Sequence, residues 1–342
     1  MMPLPDDLLP EMAQAPSATE LGATFEHPFV CRLLELGLPR LCPDGQDKGS
    51  RRTLPPARRL ENLTPASKTA VAEINPPPLP QVFLALRRVV EDPMSGVADV
   101  AKVVAMDPSL TSYVLRLANS ALYNLSTRVE TVERAITCIG LAEIQTMALG
   151  AMLGKVFKES PRSDLLLLPE FWRHAVSVGL LARALAERIG ARGRDRFFVA
   201  GLLHDLGRLL LAIAEPDLAA MTLARAVDDA TALDVAERLL LGFDHAALGG
   251  RVCWKWQLPD SLTEAVAYHH DPSQSPDNTM AAVVHMADFM ANSLGLGCQP
   301  ATAPSRLDMT VLTAFGLTEA DPPLLLDALE AGLESMAALF TA

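Results

Sequence analysis

The chain has 342 residues, half of them hydrophobic, with 29 basic and 41 acidic side chains and a net charge of −12. That length holds one large domain or two ordinary ones with a full core. The acidic balance argues against a nucleic-acid partner, because phosphate contacts need a basic face. Five scattered cysteines (Cys31, Cys42, Cys138, Cys253, Cys298), with no CxxC pair, read as reduced thiols rather than disulfides or zinc ligands. The opening "MMPLPDDLLPEM" has no basic region before an apolar one, and no apolar run approaches the ~20 residues of a bilayer span. The expectation is a cytoplasmic protein with no membrane partner.

Residues 1–74 are rich in proline: 14 of the chain's 26 prolines fall in the first 80 positions. They read as a mostly disordered tail in which only "FVCRLLELGL" suits a helix. From "NPPPLPQV" the texture turns helical. Val82, Leu86 and Val89 share a face, and so do Val97, Val100, Ala101 and Val104. Asp107 before Pro108 is a start signal, an N-cap followed by proline at the first helical position. Thr131 is a second N-cap, and Gly140 a C-terminal cap. "AEIQTMALGAMLGKVF" continues this group, which ends in the linker "KESPRSDLLLLPE".

The second half opens with the amphipathic "EFWRHAVSVGLLARALAERIG" and the more apolar, hence more central, "RDRFFVAGLLHDLGRLLLAIA". "LDVAERLLLG", "HAALGGRVCWKW", "SLTEAVAYHH" and "TMAAVVHMADFMANSLG" follow, and "PPLLLDALEAGLESMAALF" closes the chain. With no alternating strand and no repeat, the fold class is all-α.

Six of the seven histidines lie between residues 174 and 285. His174 sits one turn after Glu170, and His204 and Asp205 interrupt a leucine-rich run with Arg208 a turn later. His245 follows Asp244, His269 and His270 form a doublet, and His285 and Asp288 share one helical face. A buried polar pair without partners costs a few kcal/mol, so these groups imply partners brought from other helices. Imidazole and carboxylate suit divalent iron, manganese, zinc or nickel. An ion with open positions lowers the pKa of bound water and holds phosphate oxygens. The alternative for each histidine is a satisfied core residue; for His204 and Asp205 it is a hydrogen-bonded pair joining two helices. His285 reads as structural, and His27 belongs to the tail.

The "H…HD…D" series resembles the HD superfamily of metal-dependent phosphohydrolases. The resemblance implies His174, His204, Asp205 and Asp288 as direct metal ligands. His245, His269 and His270 resemble the further ligands of its two-metal phosphodiesterases, with Glu170 where an extra carboxylate can be drawn. The text after the histidine doublet, "HHDPSQSPDNT", departs from the DGxGYP-like stretch of the enzymes that hydrolyse cyclic-di-GMP.

The segments "NPPPLPQVFLALRRVVEDP", "VAKVVAMDPSLTSYVLRLANSALYN", "FVAGLLHDLGRLLL", "DHAALGGRVCWKWQLP" and "AYHHDP" are similar to those of the HDOD domain, an HD-related output domain of bacterial signalling proteins. The resemblance implies an N-terminal helical subdomain (75–160) packed beside an HD-like bundle (168–293), within a domain at 75–293. Residues 294–342 are then a C-terminal helical extension. It also implies one or two divalent ions (iron, manganese, zinc, nickel or magnesium), protein partners in a signalling pathway, and a nucleotide or phosphoester as ligand.

Two functions stay open. One is a regulatory protein acting through protein contacts and gated by metal or nucleotide. The other is an active phosphohydrolase in which Asp205 and Arg208 serve catalysis, Arg208 on a substrate phosphate unless its head lies in water. Arg116, Asn119, Ser120 and Asn124 read as capping and inter-helix bonding, and Trp172, Trp254 and Trp256 as packing.

Overall fold

Helix is the only regular structure among the described residues of this computed structural model, which are 27–41, 74, 76–120, 123, 125–141, 144, 145, 148, 149, 151, 168–275, 279–297 and 305–340. The chain runs through α1 (Pro28–Leu41), then the N-terminal group α2 (Gln81–Glu91), α3 (Val97–Ala105), α4 (Pro108–Ala118) and α5 (Val132–Ile139). The bundle follows as α6 (Leu168–Arg188), α7 (Arg194–Leu203), α8 (Leu206–Ala214), α9 (Pro216–Asp228), α10 (Leu233–Leu241), α11 (His245–Lys255), α12 (Asp260–Ala267) and α13 (Thr279–Ser293). α14 (Met309–Ala314) and α15 (Pro322–Phe340) complete it. Most of the expected tail, most of "AEIQTMALGAMLGKVF", all of the linker after it but its last three residues, which open α6, and Asn124, Cys42 and Cys298 lie outside the described residues.

The local signals in the N-terminal group act as their chemistry requires. The Asp107 carboxylate accepts from Ser109 N at 2.8 Å and Leu110 N at 3.1 Å, with Pro108 at the first helical position. Thr131 accepts from Arg134 N, and Gly140 ends α5 at φ 112°. Asn119 pins the following loop through both ends of its amide, accepting from Val129 N and donating to Val129 O. Ser120 donates to Leu117 O.

One apolar core runs through the molecule. It includes Phe83, Leu86, Val104 and Leu117 of the N-terminal group, Leu181 and Leu185 of α6, and Val284 of α13. Phe29, Val30 and Leu33 of α1 and Leu325, Leu326 and Leu329 of α15 also belong to it, and α15 packs on α6 and α1. The one helical candidate in the first 74 residues is therefore built into the core. Trp256 is buried and donates from Nε1 to Pro77 O at 3.1 Å, whereas Trp254 is half exposed and not the packing residue expected.

Two helix crossings are set by glycine pairs. At α6–α7 a Cβ on Gly201 would come within 2.8 Å of the Gly179 backbone. At α8–α11 a Cβ on Gly207 would lie 2.0 Å from His245 O and 2.6 Å from Gly249 N. Backbone touches backbone there, which no side chain permits.

The apolar run expected as one helix is two. His204 and Asp205 form a turn between α7 and α8, with Asp205 at φ −90° and ψ 11°. By length and composition Arg194–Ala214 would suffice to cross a bilayer, contrary to the expectation above. Its most apolar window is 83% buried inside the protein, so its greasiness is that of a core element.

Candidate metal centre

The glycine crossings place the site. His174 lies just over a turn before Gly179 on α6, and His204 three residues past Gly201. Asp205 lies two residues before Gly207, and His245 one turn before Gly249 on α11. α12 ends in a turn carrying His269 and His270, and α13 brings Asp288 from the far side.

All seven expected ligands meet in one interior spot. His174 Nε2 lies 3.2 Å from Asp288 Oδ1 and 3.8 Å from Asp205 Oδ2. His204 Nε2 lies 3.5 Å from Asp288 Oδ1 and 3.6 Å from Asp205 Oδ1. His245 Nε2 stands 3.1 Å from Asp205 Oδ1 and 2.8 Å from His270 Nε2. The His269 ring completes the group, 4.9 Å from His204 and 4.0 Å from His270 between centroids. Asp205 touches histidines on both sides and so joins the two halves of the cluster.

The outer ring nitrogens show which way the inner ones face. Nδ1–H of His174 donates to Leu296 O at 3.1 Å, that of His204 to Gly201 O at 2.7 Å, and that of His269 to Val266 O at 2.8 Å. A carbonyl accepts only, so each Nδ1 carries a proton and Nε2 is the ring atom turned toward the cluster. The Nε2 atoms of His204 and His269 are buried without a hydrogen-bond partner, as is His270 Nδ1. Orphaned buried acceptors are rare and costly in folded proteins. Those of His204 and His269, on rings 4.9 Å apart, belong to a donor set that fits a divalent cation. The ligand atoms of His174, His204 and Asp205 lie within 4.8 Å of one another, and so do those of His245, His269 and His270, so either trio could hold an ion.

Charge within the cluster is strongly coupled. Burial disfavours a proton on His204 and His245, but Asp205 and Asp288 around the first, and Glu237 and Asp205 around the second, outweigh it and raise both. Burial works against ionised Asp205 and Asp288 too. His204 and Arg208 nevertheless hold Asp205, and His174 and His204 hold Asp288, well below the carboxylate range. Burial, then the neighbouring imidazoles His204 and His245, push His269 down to about 3. His270 is lowered by burial and by His269 and His245.

Arg208 does not reach into water. Its Nη1 donates to Asp205 Oδ2 at 3.0 Å, with the side chain 12% exposed. His285 is saturated: Nδ1–H donates to His269 O at 2.7 Å, and Nε2 accepts from Asp308 N at 2.9 Å. It props up the carbonyl beside His269. Glu170 is half-buried, with Oε2 shielded and without a hydrogen-bond partner, one turn before His174.

The sequence reading missed two residues. Glu237 of α10, 1% exposed, accepts from both His245 Nδ1–H at 2.5 Å and His245 N at 2.8 Å. Asn292 donates to Asp288 Oδ1 at 2.8 Å. An acid on the buried side of "LDVAERLLL" was the available signal for Glu237.

An all-helical bundle with histidine–aspartate side chains gathered at its centre defines an HD-like protein. Residues 77–272, more than half of the chain, match the HDOD domain family, and the chain belongs to it. Among solved structures it is similar to a candidate phosphohydrolase from Shewanella amazonensis (26% identity, TM-score 0.60, 79% of this chain and 97% of that one). It is also similar to an HDOD domain protein of unknown function from Geobacter sulfurreducens (24%, 0.61, 80% and 96%) and a candidate signal transduction protein from Marinobacter aquaeolei (22%, 0.61, 80% and 64%). A curated uncharacterised protein of Treponema pallidum is 24% identical over 249 residues, which are 71% of this chain and 47% of that protein. The chain thus spans about half the length of that relative.

Proposed function

We propose that the protein is a cytoplasmic regulatory module of bacterial signalling, which acts through protein partners and whose bundle is held by divalent cations. His174, His204, Asp205 and Asp288 would hold one ion and His245, His269 and His270 a second, with Asp205 between them. The observation that carries this reading is the burial of the cluster. His174, His204 and His269 are 1% exposed, Asp205 and His245 3%, and Asp288 5%, while Arg208 covers the outer oxygen of Asp205. Ligands drawn from α6, the α7–α8 turn, α11, the end of α12 and α13 would make cation binding a fastening of five segments, and binding free energy there is folding free energy.

A second reading, phosphoester hydrolysis, is favoured by the complete donor set and by His270 and Arg208, the only members of the group that are not fully buried. A bound ion would supply Lewis acidity and a water acidic enough to ionise near neutral pH. Arg208 would then orient a phosphate or nucleotide, and Asp205 would share the proton of the attacking water.

Metal analysis of the purified chain, thermal melting with and without chelator, and assay on bis(p-nitrophenyl) phosphate and nucleotides with manganese or iron separate the readings. Stoichiometric metal, a melting temperature that falls on chelation and no turnover are expected. Turnover abolished by His204→Ala would establish the hydrolase instead, and a metal-free chain would overturn both.

A further inference from the structure

We infer that Glu237 is a positioning residue for the second cation: it locks His245 in the one tautomer that presents Nε2 to the His245–His269–His270 trio. The inference rests on the cation reading proposed above and assigns a role to a residue outside the ligand set.

Glu237 is an acid with almost no exposed surface. Glu237 sits on α10 at 1% exposure, and one of its oxygens, Oε2, receives two donors from the same residue, the backbone N–H of His245 at 2.8 Å and its ring Nδ1–H at 2.5 Å. The first bond ties Glu237 to the N-terminus of α11, whose other opening bond runs from Ala247 N to Asp244 at 2.9 Å. The second fixes the imidazole. With Nδ1–H committed to a carboxylate, the neutral ring has its lone pair on Nε2.

That lone pair faces His270, whose Nδ1 is buried without a hydrogen-bond partner, so no bond on the far side of that ring settles which nitrogen carries its proton. His245 Nε2 lies 2.8 Å from His270 Nε2 and 3.1 Å from Asp205 Oδ1, and the Nε2 of His269 nearby is buried and unbonded. Atoms drawn this close need a proton or a cation between them, and in the metal-free chain His270 Nε2–H can supply that proton where a bound cation would replace it. A carboxylate behind a ligating imidazole both orients the ring and makes it a better donor, and loss of such a partner costs 10- to 100-fold in metal affinity. The other trio is built differently. Its histidines are held by main-chain carbonyls (Leu296 and Gly201), and Asp288, the carboxylate that joins it from α13, is steadied by Asn292. Charge behind the ring is thus confined to one half of the centre, and Glu237 supplies it.

The test is a titration of the metal-stripped full chain with manganese or cobalt alone, following bound equivalents by dialysis and the cobalt d–d bands by absorption. Wild type is expected to bind two equivalents. Glu237→Gln, which keeps the shape and an acceptor but removes the charge, is expected to keep the first and to weaken the second about 10- to 100-fold. Asn292→Ala should show the opposite pattern, a weakened first equivalent and an intact second. Glu237→Asp, which restores the charge at a shorter reach, should recover part of the loss. Two equivalents in both wild type and Glu237→Gln would overturn this inference while leaving the cation reading intact. Equal weakening of both equivalents in Glu237→Gln would also overturn it, since Glu237 would then act on the bundle as a whole. A wild-type chain that binds no cation would overturn both.

Discussion

Two of the polar clusters buried among the described residues are composed on opposite principles. Between the N-terminal helices and the bundle, Arg183 of α6 bonds Asp195 of α7 at 2.9 Å. Tyr123 donates to the same carboxylate oxygen at 3.0 Å and lays its ring under the guanidinium, 5.4 Å from centroid to carbon. One cation, one anion and one hydroxyl answer each other, so the cluster is closed. In the histidine centre the protons are committed outward to carbonyls and to Glu237, and the acceptors are left over at the middle. The first arrangement joins two parts of a chain. The second is composed to receive something the chain does not contain.

Cutting the closed cluster gives the largest expected effect. Asp195→Ala leaves Arg183 buried without its counter-ion, and loss of one partner of a buried pair costs about 3–5 kcal/mol. Urea unfolding should show that loss while cation uptake stays unchanged. If uptake fell in parallel, the two clusters would not be independent. Gly207→Ala attacks the other side. Its Cβ would meet His245 O at 2.0 Å, and main chain cannot swing aside as a side chain does. Overpacking of this kind costs about 1–3 kcal/mol, and the displaced α11 should lose its cation. Full uptake by that variant would show that the glycine contact does not set the ligand geometry.

The most gradual effect is one of pH, in chelated protein. His269, His270 and His285 have lowered pKa values, so below the ordinary histidine value of about 6.5 the unfolded chain takes up protons that the folded one refuses. Stability then falls as pH falls, by at most about 1.4 kcal/mol per pH unit for each such group. His204 and His245 have raised values, so their contribution is complete below about 6.5 and is lost as pH rises through their folded values. Asp205 and Asp288, held low, keep their contribution until the pH falls below about 4. Metal-free protein should therefore be most stable near pH 6.5, with losses on both sides. Urea unfolding at several pH values would check this, and a monotonic profile would contradict it.

Much of this was legible from residue order. A histidine or aspartate amid apolar residues is anomalous wherever it falls, and the resemblance to the HD superfamily then singled out the seven scattered side chains as ligands before their meeting place was seen. The caps at Asp107 and Thr131 were legible because they act within one turn. Glu237 was less so: its place on the apolar side of "LDVAERLLL" is a signal, but its partner His245 lies on another helix and only docking brings the two together. The break at His204–Asp205 was not legible. The run has the apolar texture of a continuous helix, and what accompanies the break is the contact of Gly207 with a segment almost 40 residues further on. The same distance hid the role of Arg208, whose partner Asp205 became a buried anion only once α6, α11 and α13 had closed around it.

Trp256 gives the protein a built-in optical gauge. Its indole is enclosed where the segment before α2 lies against α11, bonded to Pro77 O, and Arg87 of α2 reaches the Trp256 carbonyl at 2.9 Å. Parting of the N-terminal helices from the bundle would wet that fluorophore and shift its emission to the red, whereas half-exposed Trp254 on the same helix would contribute an almost constant background.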